Sequence, residues 1–550
     1  MVEQSTSTAR ALVRELLAHG VRDVVIAPGS RSAPLAIAFA QAEQGALVSV
    51  HVRIDERDAG FLALGLAKAS KSPVPILVTS GTAVANLLPA VVEAFQSGLP
   101  LVVISADRPA YARGSSAPQT ISQSNIFGAF VKGQYDAQPS EFKIETASQL
   151  LTLARTSHCG PVHLNIQFEM PLVPSAENLD WTPEQPDEIL LATGAARQAH
   201  LDLPAHGVIV AGDIADLADS RAVGELAQRL GWPIIAEPSA NVHGQANALA
   251  HGVLLVASEQ LPTPDCVLSV GTVGLSRPIL RLLSNSPKHI AIHLPGNGPE
   301  RPDPVQSAAQ IIDGFPTVDA PVDPTWLAHW QQADEVASEV VHTAVSAETL
   351  TGLSSATTVW HFAAENDQLL VAASWPVRHL EAFAQTRCGL TVYGNRGANG
   401  IDGLISTAWG ISVNSPSRTY LLIGDVAFLH DVGGLNTTAG TQQPNLTIVV
   451  LDNDGGGIFS QLEQGNPEFA PYFEKIFGTP HGKDLWQIAE SFGYSTTRVT
   501  TRSELNATLK RAADIPGVHI LICLTGSRSG ENALIKEISH EVKQKLTSPA

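Results

Sequence analysis

Residues 420–459 read YLLIGDVAFLHDVGGLNTTAGTQQPNLTIVVLDNDGGGIF, and this stretch constrains the fold more than any other part of the chain. Its pattern is strand, turn, helix, turn, strand, and both strands end in side chains that carry oxygen. Asp425 closes the run Leu421, Leu422, Ile423, Gly424, and Asn453 closes the next run, from Ile448 through Asp452. Strands joined through a helix pair in parallel, so both ends fall on one carboxyl edge, where open α/β sheets bind ligands. A carboxylate and an amide oxygen there suit a hard cation such as Mg²⁺, which keeps water and takes its other ligands from phosphates. Gly455, Gly456 and Gly457 let the backbone approach such an ion, with the Gly455 carbonyl as a further ligand.

The pattern is not unique in the chain. Gly212-Asp213 also follows an apolar run, and Asn241 stands beyond it at the same spacing that separates Asp425 from Asn453. There the second strand ends near Ala236 and Pro238 intervenes, which leaves Asn241 in a loop. By itself the Asp425 motif reads equally as a plain turn between strands.

At 550 residues the chain has room for about three domains, each with a full core. A hydrophobic share of 44% with 16% charged residues is that of a compact protein. The net charge of −19 argues against nucleic-acid binding, and anionic substrates would have to be met by local arginines. Four cysteines stand far apart with no CxxC spacing, which predicts reduced thiols in a cytoplasmic protein. The first residues lack the basic start and apolar core of a signal peptide. No apolar run reaches the length of a membrane span.

Strands are expected at 24–27, 48–54, 75–78, 101–105 and 162–166, then at 208–211, 233–236, 266–270 and 290–293. A last set falls at 369–373, 391–393, 421–423, 446–450 and 519–523. Stretches rich in Pro, Asp and Glu at 170–202 and 295–324 read as linkers. Strands alternating with helices predict an α/β fold of three doubly wound parallel-sheet domains, 1–180, 190–320 and 326–550.

Glu56, in HVRIDERDAGFLALGLAK, stands where strand 48–54 gives way to a helix. Asp55 and Glu56 there read equally as helix caps facing the dipole. A lone Glu in the first unit and a strand-end Asp/Asn pair in the third resemble the thiamine diphosphate (ThDP)-dependent decarboxylases and carboligases. In that family's metal motif, GD is followed at a distance by N. Here Val426 replaces the usual third Gly, and Asp452 replaces the usual first Asn of the pair. Five phrases narrow the likeness: IAPGSRSAPL from Ile26, TSGTAVANLLPAVVEA from Thr79, SADRP from Ser105, GNRGANGIDG from Gly394 and DGGGIFSQL from Asp454. They resemble the branch of the family that serves menaquinone biosynthesis, with 2-oxoglutarate as donor and isochorismate as acceptor. The likeness covers the first and third units and is weak in the middle one.

The resemblance implies ThDP and Mg²⁺ (or Mn²⁺) as cofactors. Glu56 would be the catalytic residue, hydrogen-bonded to N1′ of the cofactor's pyrimidine and relaying one proton. Asp425, Asn453 and Gly455 would hold the metal. Gly424, Gly456, Ile458 and Phe459 would line the cofactor, and Ile401 would be the wedge that keeps it bent. Both substrates are dianions, which suits forked guanidinium groups. Ser30, Arg31, Arg108, Gln119, Arg277, Ser374, Arg378, Arg396 and Leu462 are the implied substrate contacts. Each arginine alone reads as a surface ion pair, and each apolar residue as core. The family's site lies between chains, so a homodimer or homotetramer is implied, with Glu56 from one subunit and Asp425 from its partner. Another ThDP-dependent 2-oxo acid decarboxylase, or an acetolactate synthase-like enzyme, would share Glu56 and Asp425 without the arginines. A nucleotide-binding or structural α/β protein would need neither.

Overall fold

The computed structural model describes residues 4–156, 158–191 and 199–547. The first sheet contains β1 (Asp23–Ile26), β2 (Ser49–Val52), β3 (Val74–Val78), β4 (Leu101–Asp107), β5 (Gln134–Ala137) and β6 (Val162–Gln167), in the order β2-β1-β3-β4-β6-β5. β7 (His200–Asp202) precedes a second sheet of β8 (Gly207–Ala211), β9 (Ile234–Ala236), β10 (Cys266–Val270), β11 (His289–His293) and β12 (Gln310–Asp313), ordered β12-β11-β10-β8-β9. β13 (Thr317–Asp319) pairs with β7 alone. The third sheet holds β14 (Gln368–Val371), β15 (Thr391–Tyr393), β16 (Thr419–Gly424), β17 (Leu446–Asp452), β18 (Ser495–Val499) and β19 (Val518–Leu524), ordered β15-β14-β16-β17-β19-β18. Every pairing in the three large sheets is parallel, as helical crossovers require. The central strands β3, β4, β8 and β10 are buried along their whole length, so both faces are covered and their sequences read as near-continuous hydrophobic runs, broken by Ser105 and Asp107 in β4 and Ser269 in β10.

Both expected linkers carry structure. β7 lies in the first and β12 and β13 in the second, so the two linkers meet as a parallel ribbon. The earlier part of the first linker is tied down too: Ile189 N donates to Ala18 O at 2.7 Å, and the Trp181 ring takes the Arg10 and Arg14 guanidiniums at 5.1 and 5.4 Å. The strands with no counterpart among the expected ones in the large sheets, β5, β12 and β18, are edge strands with short polar sequences.

The chain packs as two compact units that cross the sheet boundaries. One comprises residues 1–194, 397–414 and 431–442, and the other 195–396, 415–430 and 443–550. Segments 397–414 and 431–442, which the sequence groups with the third domain, therefore pack with the first. The reason is a close helix contact. A Cβ on Gly65 would lie 2.1 Å from Thr407 O, and one on Gly410 would lie 2.3 Å from Leu62 O. Only glycines let helices Glu56–Ser70 and Leu404–Ser412 come this near. Among the described residues no helix is long and apolar enough to cross a membrane, and all four cysteines are free thiols.

Candidate active site

β16 and β17 are neighbours with Gly424 opposite Leu451, so Asp425 and Asn453 emerge side by side at the carboxyl edge. Asp425 is 2% exposed. Its Oδ1 accepts from Val426 N at 2.6 Å, and its Oδ2 from Asn453 N at 3.0 Å and Gly455 N at 2.9 Å. These bonds fix the carboxylate and leave lone pairs for a ligand. Asn453 Oδ1 is buried and has no hydrogen-bond partner among the described residues, a costly state unless something else meets it. Gly455 sits at φ +138°, and a Cβ there would strike Gly478 O at 2.0 Å. Gly456 N donates to the same carbonyl at 2.8 Å. The donor set, one carboxylate and one orphaned amide oxygen on a glycine-tight loop, fits a hard divalent cation that keeps water and phosphate ligands.

His481 joins this site although the sequence offers no motif around it. Its Nδ1 accepts from Lys483 N at 3.0 Å, which leaves the proton of the neutral ring on Nε2. Nε2 lies 3.5 Å from Asp425 Oδ2 and 3.7 Å from Asp452 Oδ1. Burial, and next the charge of Asp425, push the Asp452 carboxyl up to about 6, so positive charge arriving here would be met favourably. The site borders a cavity of about 870 Å³ whose wall includes Asn453, His481, Lys483 and Arg528. The second Gly-Asp…Asn pattern does none of this. Asn241 latches onto the backbone of β15, accepting from Val392 N at 2.7 Å and donating to Val392 O at 3.1 Å.

The same unit gathers two of the expected arginines. Ser374 follows β14 at φ +72°, and its carbonyl accepts from Arg378 Nη1 at 2.9 Å. Arg378 Nη2 donates to Leu275 O at 3.0 Å. Arg396, 8% exposed, faces Glu237 with Nη2 3.4 Å from Oε2. Glu237 is held in turn by Gly274 N and Leu275 N, both at 2.8 Å. Glu381 accepts from Ser276 Oγ at 3.1 Å. Burial, and next the charge of Glu237, push the Glu381 carboxyl up to about 8. Burial raises the Glu237 carboxyl as well, and with Glu381 holding its proton at neutral pH the two guanidiniums leave the group with a positive surplus. Nothing local in the sequence marks Glu237 or Glu381; the fold of the central sheet brings them to the arginines.

Arg277 is not part of this cluster. It is 61% exposed and pairs with Glu463 at 2.9 Å, next to the half-buried Leu462. Ile458 and Phe459 are half-buried in the turn Gly457–Gln461, with the Phe459 ring 5.7 Å from Phe477.

In the other unit, Glu56 opens the helix Glu56–Ser70 while Asp55 caps it, accepting from Arg57 N at 2.9 Å. Capping is therefore the work of Asp55, and Glu56 is left half-buried with, among the described residues, Asn86 donating to it, Nδ2 to Oε2 at 3.3 Å. Arg31 donates to Phe168 O at 2.9 Å, and burial, then the nearby Arg108, lower its proton affinity. Arg108 donates to Pro118 O at 3.0 Å. Gln119 spends its amide on Ser80 O at 3.0 Å and stands at φ +57°. Ser30 is exposed in the turn before helix Ala33–Gln44, and Ile401 is half-buried just before Gly403.

Residues 6–126 match the family described as "Thiamine pyrophosphate enzyme, N-terminal TPP binding domain", and residues 378–523 match its C-terminal counterpart. A 2-succinyl-5-enolpyruvyl-6-hydroxy-3-cyclohexene-1-carboxylate synthase of Saccharopolyspora erythraea is 38% identical, over 94% of this chain and 95% of its own. Synthases of the same name from Nocardia farcinica and Thermobifida fusca are 38% and 39% identical, over 98% and 91% of this chain and 99% and 93% of theirs. The X-ray structure of a Mycobacterium smegmatis protein assigned to the thiamin diphosphate-dependent enzymes superposes with a TM-score of 0.65 over 95% of this chain and 99% of its own, at 17% identity, which speaks for the fold alone. With paired thiamine pyrophosphate domains and relatives this similar along nearly its whole length, the chain belongs to the 2-succinyl-5-enolpyruvyl-6-hydroxy-3-cyclohexene-1-carboxylate synthase family of ThDP-dependent enzymes.

Proposed function

We propose that this protein is a ThDP- and Mg²⁺-dependent carboligase that decarboxylates 2-oxoglutarate and adds the succinyl-semialdehyde unit to isochorismate, releasing CO₂. The product is 2-succinyl-5-enolpyruvyl-6-hydroxy-3-cyclohexene-1-carboxylate. The observation that carries the reading is the buried, unpartnered Asn453 Oδ1 beside Asp425 at the ends of adjacent strands. When bound, ThDP supplies the thiazolium electron sink for the decarboxylation and the conjugate addition. Asp425, Asn453 and the Gly455 carbonyl hold the cation, and Mn²⁺ satisfies the same donors. Gly424, Gly456, Ile458 and Phe459 line the cofactor. Glu56 holds and moves the proton at N1′. The surplus positive charge around Arg378 and Arg396 attracts a substrate carboxylate, and Ser374 adds a hydroxyl. Ser30, Arg31, Arg108 and Gln119 bind substrate from the unit that carries Glu56, and Ile401 keeps the cofactor bent. Arg277 and Leu462 are substrate contacts of the same reading. The active unit is a cytoplasmic homodimer or homotetramer with sites between subunits, Glu56 coming from one and Asp425 from the other. Residues 1–180, 190–320 and 326–550 act as pyrimidine-binding, central and diphosphate-binding domains.

Arg378→Ala and Arg396→Ala are each expected to lower kcat/KM roughly 30-fold or more, because a buried carboxylate left without its arginine costs on the order of 2–5 kcal/mol. ThDP affinity should hold. Steady-state assays of CO₂ release, with and without isochorismate, check this. Decarboxylation of pyruvate as fast as 2-oxoglutarate would replace the reading with a general 2-oxo acid decarboxylase. Glu381 adds a pH expectation. Its proton is lost as pH rises through about 8, which adds a negative charge beside the two arginines. KM for the anionic substrate should therefore climb on the alkaline side, and Glu381→Gln should flatten that climb.

A further inference from the structure

Two carboxylates stand buried behind Glu56, and the proposed chemistry uses neither. Asp58, on the first turn of the Glu56 helix, is 1% exposed, and Asp431 is 0% exposed. Asp431 Oδ2 accepts from Ile405 N at 2.7 Å and Ser406 N at 3.1 Å, with Ser406 Oγ at 3.4 Å. It caps the helix Leu404–Ser412 from a distance, because that helix starts at Gly403, which has no side chain to cap it. Gly403 is required there: it sits at φ +67°, and a Cβ would lie 1.8 Å from the Phe61 ring.

Asp431 Oδ1 and Asp58 Oδ1 are both buried and accept no hydrogen bond from the described residues. Arg57 Nη2 lies 3.8 Å from Asp58 Oδ1 and 4.0 Å from Asp431 Oδ1, too far to hydrogen-bond either, while the Asp58 carboxyl itself is in hydrogen-bonding range of Asp431. Asp58 Oδ2 lies 2.7 Å from where a Cβ of Gly433, just past Asp431, would stand. Two buried carboxylates this close do not both ionise; one proton between them turns repulsion into a hydrogen bond.

We propose that Asp58 and Asp431 share one proton, and that this bond makes Asp58 a positioning residue for Glu56, clamping the first turn of its helix to the capped helix Leu404–Ser412. The positioning role rests on the reading of Glu56 given above; the shared proton does not. The charged groups facing the pair are Arg57, which favours ionisation, and Asp55, which opposes it. Burial, and next the charge of Asp431, push Asp58 up to about 7; burial pushes Asp431 up to about 6. Both folded-state values lie above the ordinary carboxylate range. The stability they contribute is therefore complete below that range and is lost as pH rises through about 7.

The test uses full-length protein and two readouts. The infrared difference between cofactor-free wild type and Asp58→Asn, in which the bands of Glu381 and Asp452 cancel, should show the carbonyl stretch of one further buried, protonated carboxyl in the wild type, fading as pH rises through about 7. With ThDP and Mg²⁺ bound, hydrogen–deuterium exchange at C2 of the cofactor should fall in the wild type over the same pH range. Asp58→Asn, whose amide donates to Asp431 at any pH, should exchange at the wild-type rate at low pH and keep that rate through the alkaline range. Asp58→Ala should slow exchange by roughly tenfold or more, the low end of what a mispositioned general acid–base group costs, at unchanged ThDP affinity. A missing band, or a band that survives in Asp58→Asn, overturns the shared proton. Identical pH profiles for wild type and Asp58→Asn overturn the positioning role. Normal exchange in Glu56→Gln would instead bring down the reading of Glu56, and with it the positioning role, while the band stands by itself.

Discussion

Asp425→Asn is expected to abolish metal-dependent ThDP binding while the fold survives. The Asp425 carboxylate now accepts from Val426 N on one oxygen and from Asn453 N and Gly455 N on the other; asparagine keeps one oxygen, which can stay with Asn453 and Gly455, and loses only the acceptor for Val426 N. It removes the one negative charge that these donors hold in place for a hard cation. Alanine would be a poorer test, since each buried N–H left without an acceptor costs about 1–3 kcal/mol and the loop itself would shift. Loss of groups that merely support metal ligands costs about 10–100-fold in affinity, so loss of the ligand itself should exceed about 100-fold. Calorimetric titration of ThDP with and without Mg²⁺ measures this, with near-ultraviolet circular dichroism as the check on folding. Unchanged affinity in the variant would remove Asp425 from the metal site.

Glu56→Gln is expected to bind ThDP normally and to lose about 10²–10⁴-fold of turnover, the usual contribution of a general acid–base group. The reason lies in how little else Glu56 does. Asp55 already caps the helix, and the Asn86 amide can donate to a glutamine oxygen as it does to the carboxylate. Glutamine can still accept or donate a hydrogen bond at N1′, yet it has no proton to hand over. Deuterium exchange at C2 of the bound cofactor should slow by a similar order, and wild-type exchange would exclude this role. Full activity with intact exchange in the variant would leave helix capping as the only use for the acidic pair.

The strands that the sequence makes legible are those buried on both faces. β10, CVLSV, is found with the predicted ends and β8, GVIVA, one residue longer, because apolar runs between turn residues have one economical fate in a parallel sheet. β5 is QYDA, β12 QIID and β18 STTRV, each with residues open to solvent. An edge strand has a neighbour on one side only and needs no apolar run, so its sequence looks like a loop. For the same reason β7 and β13 are hidden in stretches whose prolines and acids read as linkers.

The site divides along the same line. Asp425, Asn453 and the glycines after them are readable because their function depends on the ends of two successive apolar runs and on backbone that only glycine allows. Those are local facts, and the chain carries them in order. Whether a Gly-Asp…Asn pattern becomes a site is not local: Asn453 keeps an orphaned oxygen at the sheet edge, whereas Asn241 spends both ends of its amide on Val392. His481, Glu237, Glu381 and the Asp58–Asp431 pair belong wholly to the tertiary structure. Their partners, and for the four carboxyls their proton affinities, come from burial beside groups remote in the chain, as Asp431 is from Asp58 and Arg396 from Glu237, and burial is a property of packing that no local spacing encodes.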